Sequence, residues 1–242
     1  MNDIVIKTKS ELTKHKQSER TYRKLITSLS HDIRTPLASL TGHLEAIQLG
    51  MVSDKEIDRY IDTSLRKAFD LQNYINTLFE WLKLESGERV YHHEDTDVFE
   101  LIREITAEWI PQFDNANMEY DISISEANLT TKIDKTALKR IIDNLLQNSL
   151  THSRAMKIKL AAHQDNNRIC IKISDDGVGI PETHLPHIFD RLYKCNAARG
   201  VSGNGLGLSI VQELVKELKG EINVQSKEGQ STEFSLSIPI LC

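Results

Sequence analysis

The sequence predicts an α+β protein in two parts: an antiparallel helical hairpin over 1–88 that pairs with a second copy into a four-helix bundle, then an α/β sandwich over 89–242. Three observations carry this. Up to about residue 88 the apolar residues recur at steps of three and four, the spacing of a helical seam. Beyond it, short strand-like runs are interleaved with longer amphipathic stretches. The composition, 39% apolar and 27% charged over 242 residues, is that of a globular chain with room for one large domain or two small ones.

The first helix reads from Ile26, Leu29, Ile33, Leu37, Leu40, Leu44 and Ile47. After a break from Gly50 to Asp54 the second reads from Ile57, Ile61, Leu65, Ala68, Leu71, Ile75, Leu78 and Leu82. Ser53 or Asp54 can cap the second helix, and Ser86-Gly87 ends it. A lone hairpin cannot bury a seam this long, whereas two copies can, so a homodimer is expected. Ahead of the hairpin, the first 24 residues hold seven Lys/Arg (Lys7, Lys9, Lys14, Lys16, Arg20, Arg23, Lys24) against three acids (Asp3, Glu11, Glu19). This stretch reads either as the inner flank of a membrane segment absent from this chain or as a solvated helix face. No apolar run approaches the roughly 18 to 20 residues that cross a bilayer, and no signal peptide opens the chain. As written, the protein is expected to be cytoplasmic, or else the cytoplasmic portion of a membrane-anchored one.

The second part begins with a helix at 97–110, followed by strands at 118–124 and 129–133 and an amphipathic helix at 134–150. Residues 155–162 and 168–174 form a hairpin about Asp165-Asn166-Asn167. A polar, irregular loop occupies 181–204, a helix runs over 206–219 to Gly220, and strands at 221–226 and 232–238 close the domain. Cys170, Cys195 and Cys242 have no CxxC spacing, which argues against a disulfide framework or a zinc site and fits a reducing compartment. The net charge of -5 provides no basic field, so nucleic acid is not an expected partner.

Two constellations carry chemistry. In Ser30-His31-Asp32-Ile33-Arg34-Thr35-Pro36-Leu37, His31 lies in a helical pattern among polar neighbours, as a surface residue of the bundle would. Imidazole is a good phosphoryl acceptor, since one ring nitrogen attacks while the other holds a proton. Asp32 can accept from Nδ1–H, fixing the tautomer that leaves Nε2 free and raising its basicity. Thr35 follows one turn later on the same face, and Pro36 removes a helical hydrogen bond and is expected to kink the helix there. The second constellation is a set of glycine clusters with an asparagine helix. Asp175-Asp176-Gly177-Val178-Gly179-Ile180 follows a strand; its glycines allow close backbone approach, and a buried Asp175 can accept from an adenine amino group. Gly203-Asn204-Gly205-Leu206-Gly207-Leu208 opens a helix whose free N–H groups suit a triphosphate. Gly229-Gln230-Ser231-Thr232-Glu233-Phe234 closes the last hairpin and can complete an adenine pocket. Asn144 and Asn148 share a helix face, and an amide oxygen with phosphate oxygens suffices for Mg²⁺.

On these residues the chain resembles the sensor histidine kinases of two-component systems over essentially its whole length. Ser30 to Leu37 looks like the H box, Asp143 to Ser149 the N box, Asp175 to Ile180 the first glycine box and Ile188 to Lys194 the F box. Gly203 to Leu208 looks like the second glycine box, with a weaker third at Gly229 to Phe234. The resemblance implies a dimerisation and histidine-phosphotransfer hairpin followed by a Bergerat-type ATP-binding sandwich. It implies His31 as phosphoacceptor, Asp32 as its acid/base partner and Thr35 as a residue that orients water for dephosphorylating a response regulator. It also implies Asn148 as Mg²⁺ ligand, Asn144 as a nucleotide contact, Asp175 as adenine anchor and residues 185–204 as the ATP lid.

The chain departs from the family pattern after Asn148. Ser149-Leu150-Thr151-His152 stands where Ala-x-Lys-Tyr is usual, so a phosphate-contacting lysine is replaced by Thr151. Leu192 replaces a customary Phe, and Ser231 a customary Gly. Lys194, Arg199 or His152 can compensate for the missing lysine. An active kinase is expected. The alternatives are a degenerate kinase acting mainly as phosphatase or scaffold, or a gyrase-, mismatch-repair- or chaperone-type ATPase, which the H box and paired seam argue against. His92-His93 and the pair His184 and His187 lack the further ligands of a metal site. Trp81 and Trp109 read as packing residues, and Cys195 as a free thiol.

Overall fold

A computed structural model describes residues 27, 30, 32–195 and 205–241. The chain divides into two compact units, the first ending at Phe79 and the second beginning at Glu80.

In the first unit, α1 is described as continuous helix over 32–48, running on past Pro36; α2 spans Asp54–Glu85, belonging to the first unit up to Phe79 and to the second from Glu80. Gly50 stops α1 in the left-handed region at φ 67, where its N–H bonds Ile47 O and that of Met51 bonds Ala46 O. These two bonds satisfy carbonyls that a helix end otherwise leaves open. Ser53 starts α2: its carbonyl accepts from Glu56 N–H, and its hydroxyl donates to the Glu56 carboxylate at 2.7 Å. Gly87, at φ 69, repeats the stop at the other end.

The apolar residues of α2 fall into an inward and an outward stripe. Ser64 and Tyr74 are buried and Leu71 and Leu78 half-buried on one face, whereas Ile61, Leu65, Phe69 and Phe79 are 47 to 59% exposed on the next. A helix expected to meet its hairpin partner on one side and a second copy on the other needs a wider apolar band than a two-stranded seam.

In the second unit, five strands lie in the order β2-β4-β5-β7-β6: β2 Glu119–Ile124, β4 Lys157–Asp165, β5 Arg168–Asp175, β7 Ser231–Pro239 and β6 Glu221–Lys227. Only β2 with β4 is parallel. Alternate residues Ile158, Leu160 and Ala162, Ile169, Ile171 and Ile173, and Phe234, Leu236 and Ile238 are buried, as one covered sheet face requires. The buried sides of α3 (Val98–Asn115), α4 (Lys135–His152) and α5 (Gly207–Glu217) complete that core, with Phe99, Ile102, Ile141, Leu145, Ile210 and Leu214 fully enclosed.

Two elements differ from expectation. Helix α3 continues through Pro111 to Asn115. The carbonyl that loses its bond belongs to exposed Ala107, which water can serve, while Trp109 and Phe113 bury the last turn. Residues Glu94–Asp97 form β1, paired antiparallel with β3 (Thr130–Ile133). Apart from Thr96, Glu-Asp-Thr-Asp is made of residues that disfavour a strand, so the distant partner sets it. Asp134 locks the junction: its carboxylate accepts from Ala137 N–H and His92 N–H at 2.8 and 2.9 Å.

Candidate nucleotide site

The end of β5 supplies the floor. Asp175 is 5% exposed, accepts from Ser149 Oγ at 2.8 Å and from Gly177 N–H at 3.2 Å, and lies opposite Thr232 across the β5–β7 pair. Thr232 is buried too, and its hydroxyl meets Ser226 Oγ at 2.9 Å. Burial raises the pKa of the Asp175 carboxyl, with the bonds from Ser149 and Gly177 acting against it. Folding therefore favours the protonated form. Its contribution to stability is complete at acid pH below the ordinary carboxylate range and is lost as pH rises through the elevated pKa. Asp175→Asn is accordingly expected to match or exceed the parent in Tm at neutral pH without ligand, while losing about tenfold or more in nucleotide affinity. Calorimetry and thermal scans check both halves, and a large fall in Tm would recast Asp175 as a structural residue.

The two glycines after Asp175 are demanded by the chain's own backbone. A Cβ on Gly177 would strike the Ser153 carbonyl, and one on Gly179, at φ 65, would strike that of Lys227. Val178 N–H donates to Ser153 O and Gly229 N–H to Val178 O, both at 2.7 Å, so this loop is tied to the end of α4 and to the β6–β7 turn. Their spacing pointed to a site. Their immediate task is to let three segments close around Asp175.

The other side is built where α4 meets α5. Gly205, at φ 64, accepts from Leu192 N–H at 2.8 Å, and Leu206 is fully buried behind it. Gly207 opens α5 with no side chain capping the helix, leaving its first N–H groups without that partner. A Cβ on Gly207 would come within 3.1 Å of Asn144 Oδ1, while Asn144 Nδ2 donates to Arg140 O. Asn144 thus lies against the start of α5, and Asn148, half-buried, follows one turn later on α4. Gly203 and His31 lie outside the described residues, as do Arg199 and the basic stretch over 1–24. Asp32, half-buried, and Thr35, exposed, belong to the first unit.

At the altered end of the asparagine helix, Thr151 accepts from the Gln147 amide. The His152 Nδ1 is enclosed without a partner among the described residues, and burial together with the charge of Lys194 lowers its pKa. An imidazole whose charged form is disfavoured by burial and an exposed lysine therefore lie near Thr151, the position at which the resemblance implies a lysine.

Sequence reading missed Ser149, whose hydroxyl serves Asp175, and Ser153, whose carbonyl receives Val178; neither has a motif beyond its neighbours. It also missed the setting of Trp81. In the second unit Arg191 lies over its ring, 5.4 Å from the centroid, and donates to Glu85, while Glu80 pairs with Arg89 and Arg140. Trp109 likewise does more than pack, donating its indole N–H to Asp143 at 2.8 Å.

Residues 133–241 match the family model for histidine kinase-, DNA gyrase B- and HSP90-like ATPases, and residues 21–87 that for the His Kinase A (phospho-acceptor) domain. Sensor histidine kinase YcbM of Bacillus subtilis is 28% identical over 98% of this chain and 78% of its own length. Sensor protein VanSC of Enterococcus gallinarum is 28% identical over 99% of this chain, and sensor protein kinase WalK of Staphylococcus aureus 28% over 95%. The chain spans 66% of VanSC and 38% of WalK. In fold it is similar to the Acinetobacter baumannii histidine kinase AdeS, at a TM-score of 0.69 and 22% identity over 87% of this chain and 98% of that one. The histidine kinase ThkA, solved in complex with response regulator protein TrrA, gives 0.72 at 22% identity over 90% of this chain and 61% of that one.

Proposed function

This chain belongs to the sensor histidine kinases of bacterial two-component systems, and from that premise we propose that it moves the γ-phosphoryl group of Mg-ATP to His31 and then to an aspartate of a response regulator. Residues 1–88 carry the acceptor and the dimer, and 89–242 bind the nucleotide. The observation that supports the nucleotide half best is buried Asp175, a charge-bearing acceptor held by Ser149 and Gly177. An enclosed carboxylate with acceptor capacity left over fits an adenine amino group. Gly205, Leu206 and Gly207, at the start of α5 with Asn144 beside it, are assigned to the phosphates, and Gly203 is assigned with them on its place in the same glycine box. Thr232, Gly177 and Gly179 shape the adenine end.

Asn148 offers an amide oxygen of the kind that holds Mg²⁺, and the ion, when bound, takes up negative charge developing on the phosphates. Lys194 supplies the cation that Thr151 does not. Asp32 accepts from His31 Nδ1–H and keeps Nε2 free to attack. The test is ATP-dependent labelling of the purified chain, with the label acid-labile, base-stable and passed on to a receiver domain. A second reading, a chain that acts mainly as phosphatase or scaffold, draws on Thr151, whose hydroxyl is engaged by Gln147; nucleotide binding without labelling would favour it.

The dimer is proposed to form through the outward stripe of α2. Leu65 is 53% exposed in the single chain, so Leu65→Glu leaves the hairpin intact but buries an unpaired charge once a second copy covers it, at a cost of about 3–5 kcal/mol. Light scattering is expected to read monomer with helical circular dichroism retained. A variant that stays dimeric would move the interface elsewhere.

Thr35 is assigned to the reverse reaction. In a helix a residue four positions on is about 6 Å further along the axis on the same face, and a hydroxyl so spaced from the phosphoacceptor can orient water at a regulator's phosphoaspartate. Thr35→Ala is expected to keep labelling and forward transfer and to lose most regulator dephosphorylation. Equal loss of both activities would make Thr35 a residue of the helix alone.

A further inference from the structure

The inward face of α2 carries a hydroxyl that stability alone does not account for. Tyr74 is 5% exposed, and its phenol oxygen, fully enclosed, has no hydrogen-bond partner among the described residues. A buried hydroxyl left unpaired is destabilising, and phenylalanine would fill the same space without that cost. The phenol is therefore kept for something other than packing.

The pairing of the hairpin shows what it faces. The His43 and Tyr60 rings meet edge to face, 5.1 Å between centroids, and fix which residues of the antiparallel helices are level. Counting eleven residues back along α1 and eleven forward along α2 brings Asp32 level with Leu71. Tyr74 is one turn beyond Leu71 on the same face, and helical side chains lean toward the N-terminus of their own helix, so its ring reaches back toward that level. The charge of Asp32 acts on the phenol, which burial and that charge together push up to about 12. The phenol thus stays protonated, as a donor, throughout the physiological range.

We propose that Tyr74 is a positioning residue for phosphoryl transfer: its O–H, unpaired among the described residues in the resting fold, donates to the Asp32 carboxylate during the reaction and orients the acid/base partner assigned to His31. This rests on the roles given above to His31 and Asp32. No proton leaves the phenol in this step. The bond orients Asp32 as positive charge develops on the ring, and its benefit falls in the reaction rather than in the resting fold.

Tyr74→Phe in the full chain removes the donor and nothing else. Its Tm is expected to equal or exceed that of the parent and its dimer to persist, while the initial rate of His31 labelling falls about tenfold with KM for ATP unchanged. In an Asp32→Ala background the same substitution is expected to produce no further loss, because the acceptor is gone. Parent-like labelling by Tyr74→Phe, an undiminished effect in the Asp32→Ala background, or a loss of rate matched by a fall in Tm would each overturn the inference. Failure of the unaltered chain to label on His31 is a separate outcome: it would overturn the assigned roles first, and this inference with them.

Discussion

His31→Gln is expected to abolish ATP-dependent labelling while nucleotide affinity stays close to that of the parent. Glutamine keeps some of the polarity and reach of histidine and suits a helix. Its amide nitrogen, however, has its lone pair delocalised into the carbonyl and cannot attack phosphorus as an imidazole nitrogen does. The groups assigned to the nucleotide all belong to the unit that begins at Glu80, so binding measured by calorimetry has no reason to change. In the parent, the phosphoramidate should survive base and be lost in acid. Label persisting in the variant, or acid-stable label in the parent, would place the acceptor elsewhere.

Asn148→Ala is expected to lower labelling about a hundredfold or more, the scale on which removal of one pre-placed electrostatic group acts in such sites. The substitution should be quiet in the fold. The buried side of α4 is formed by Ala137, Leu138, Ile141, Ile142, Leu145, Leu146 and Ser149, and Asn148 stands beside it, half-buried. Alanine is the stronger helix former, so Tm should hold or rise. Unchanged labelling at saturating ATP, with Tm preserved, would remove Asn148 from the site. A collapse of Tm would show instead that its amide holds α4 in place.

Much of this protein was legible because its signals are local. The helices of the second unit announce themselves by their period, and the β4–β5 hairpin by a polar turn in which Asn166 takes φ 51. The stops at Gly50 and Gly87 were readable for the same reason, since a left-handed residue closing a helix is a one-residue preference. Strand β1 was not, because Glu94–Asp97 has no preference of its own and becomes a strand only against Thr130–Ile133. Nor was the division of α2 into an inward and an outward stripe: periodicity reports that a face is apolar, not which neighbour covers it.

The sequence by itself determined the fold class, the order of the elements apart from β1, and the boxes to which the acceptor and nucleotide roles are assigned, because each depends on spacing along the chain. Tertiary structure decided what those spacings serve. It brought Ser149 to Asp175, set Gly177 and Gly179 against the backbone of Ser153 and Lys227, and laid Asn144 on Gly207. It also enclosed the Tyr74 hydroxyl without a partner. Such contacts join residues far apart in sequence, and their energies depend on burial and distance. Neither quantity exists until the helices and strands have packed.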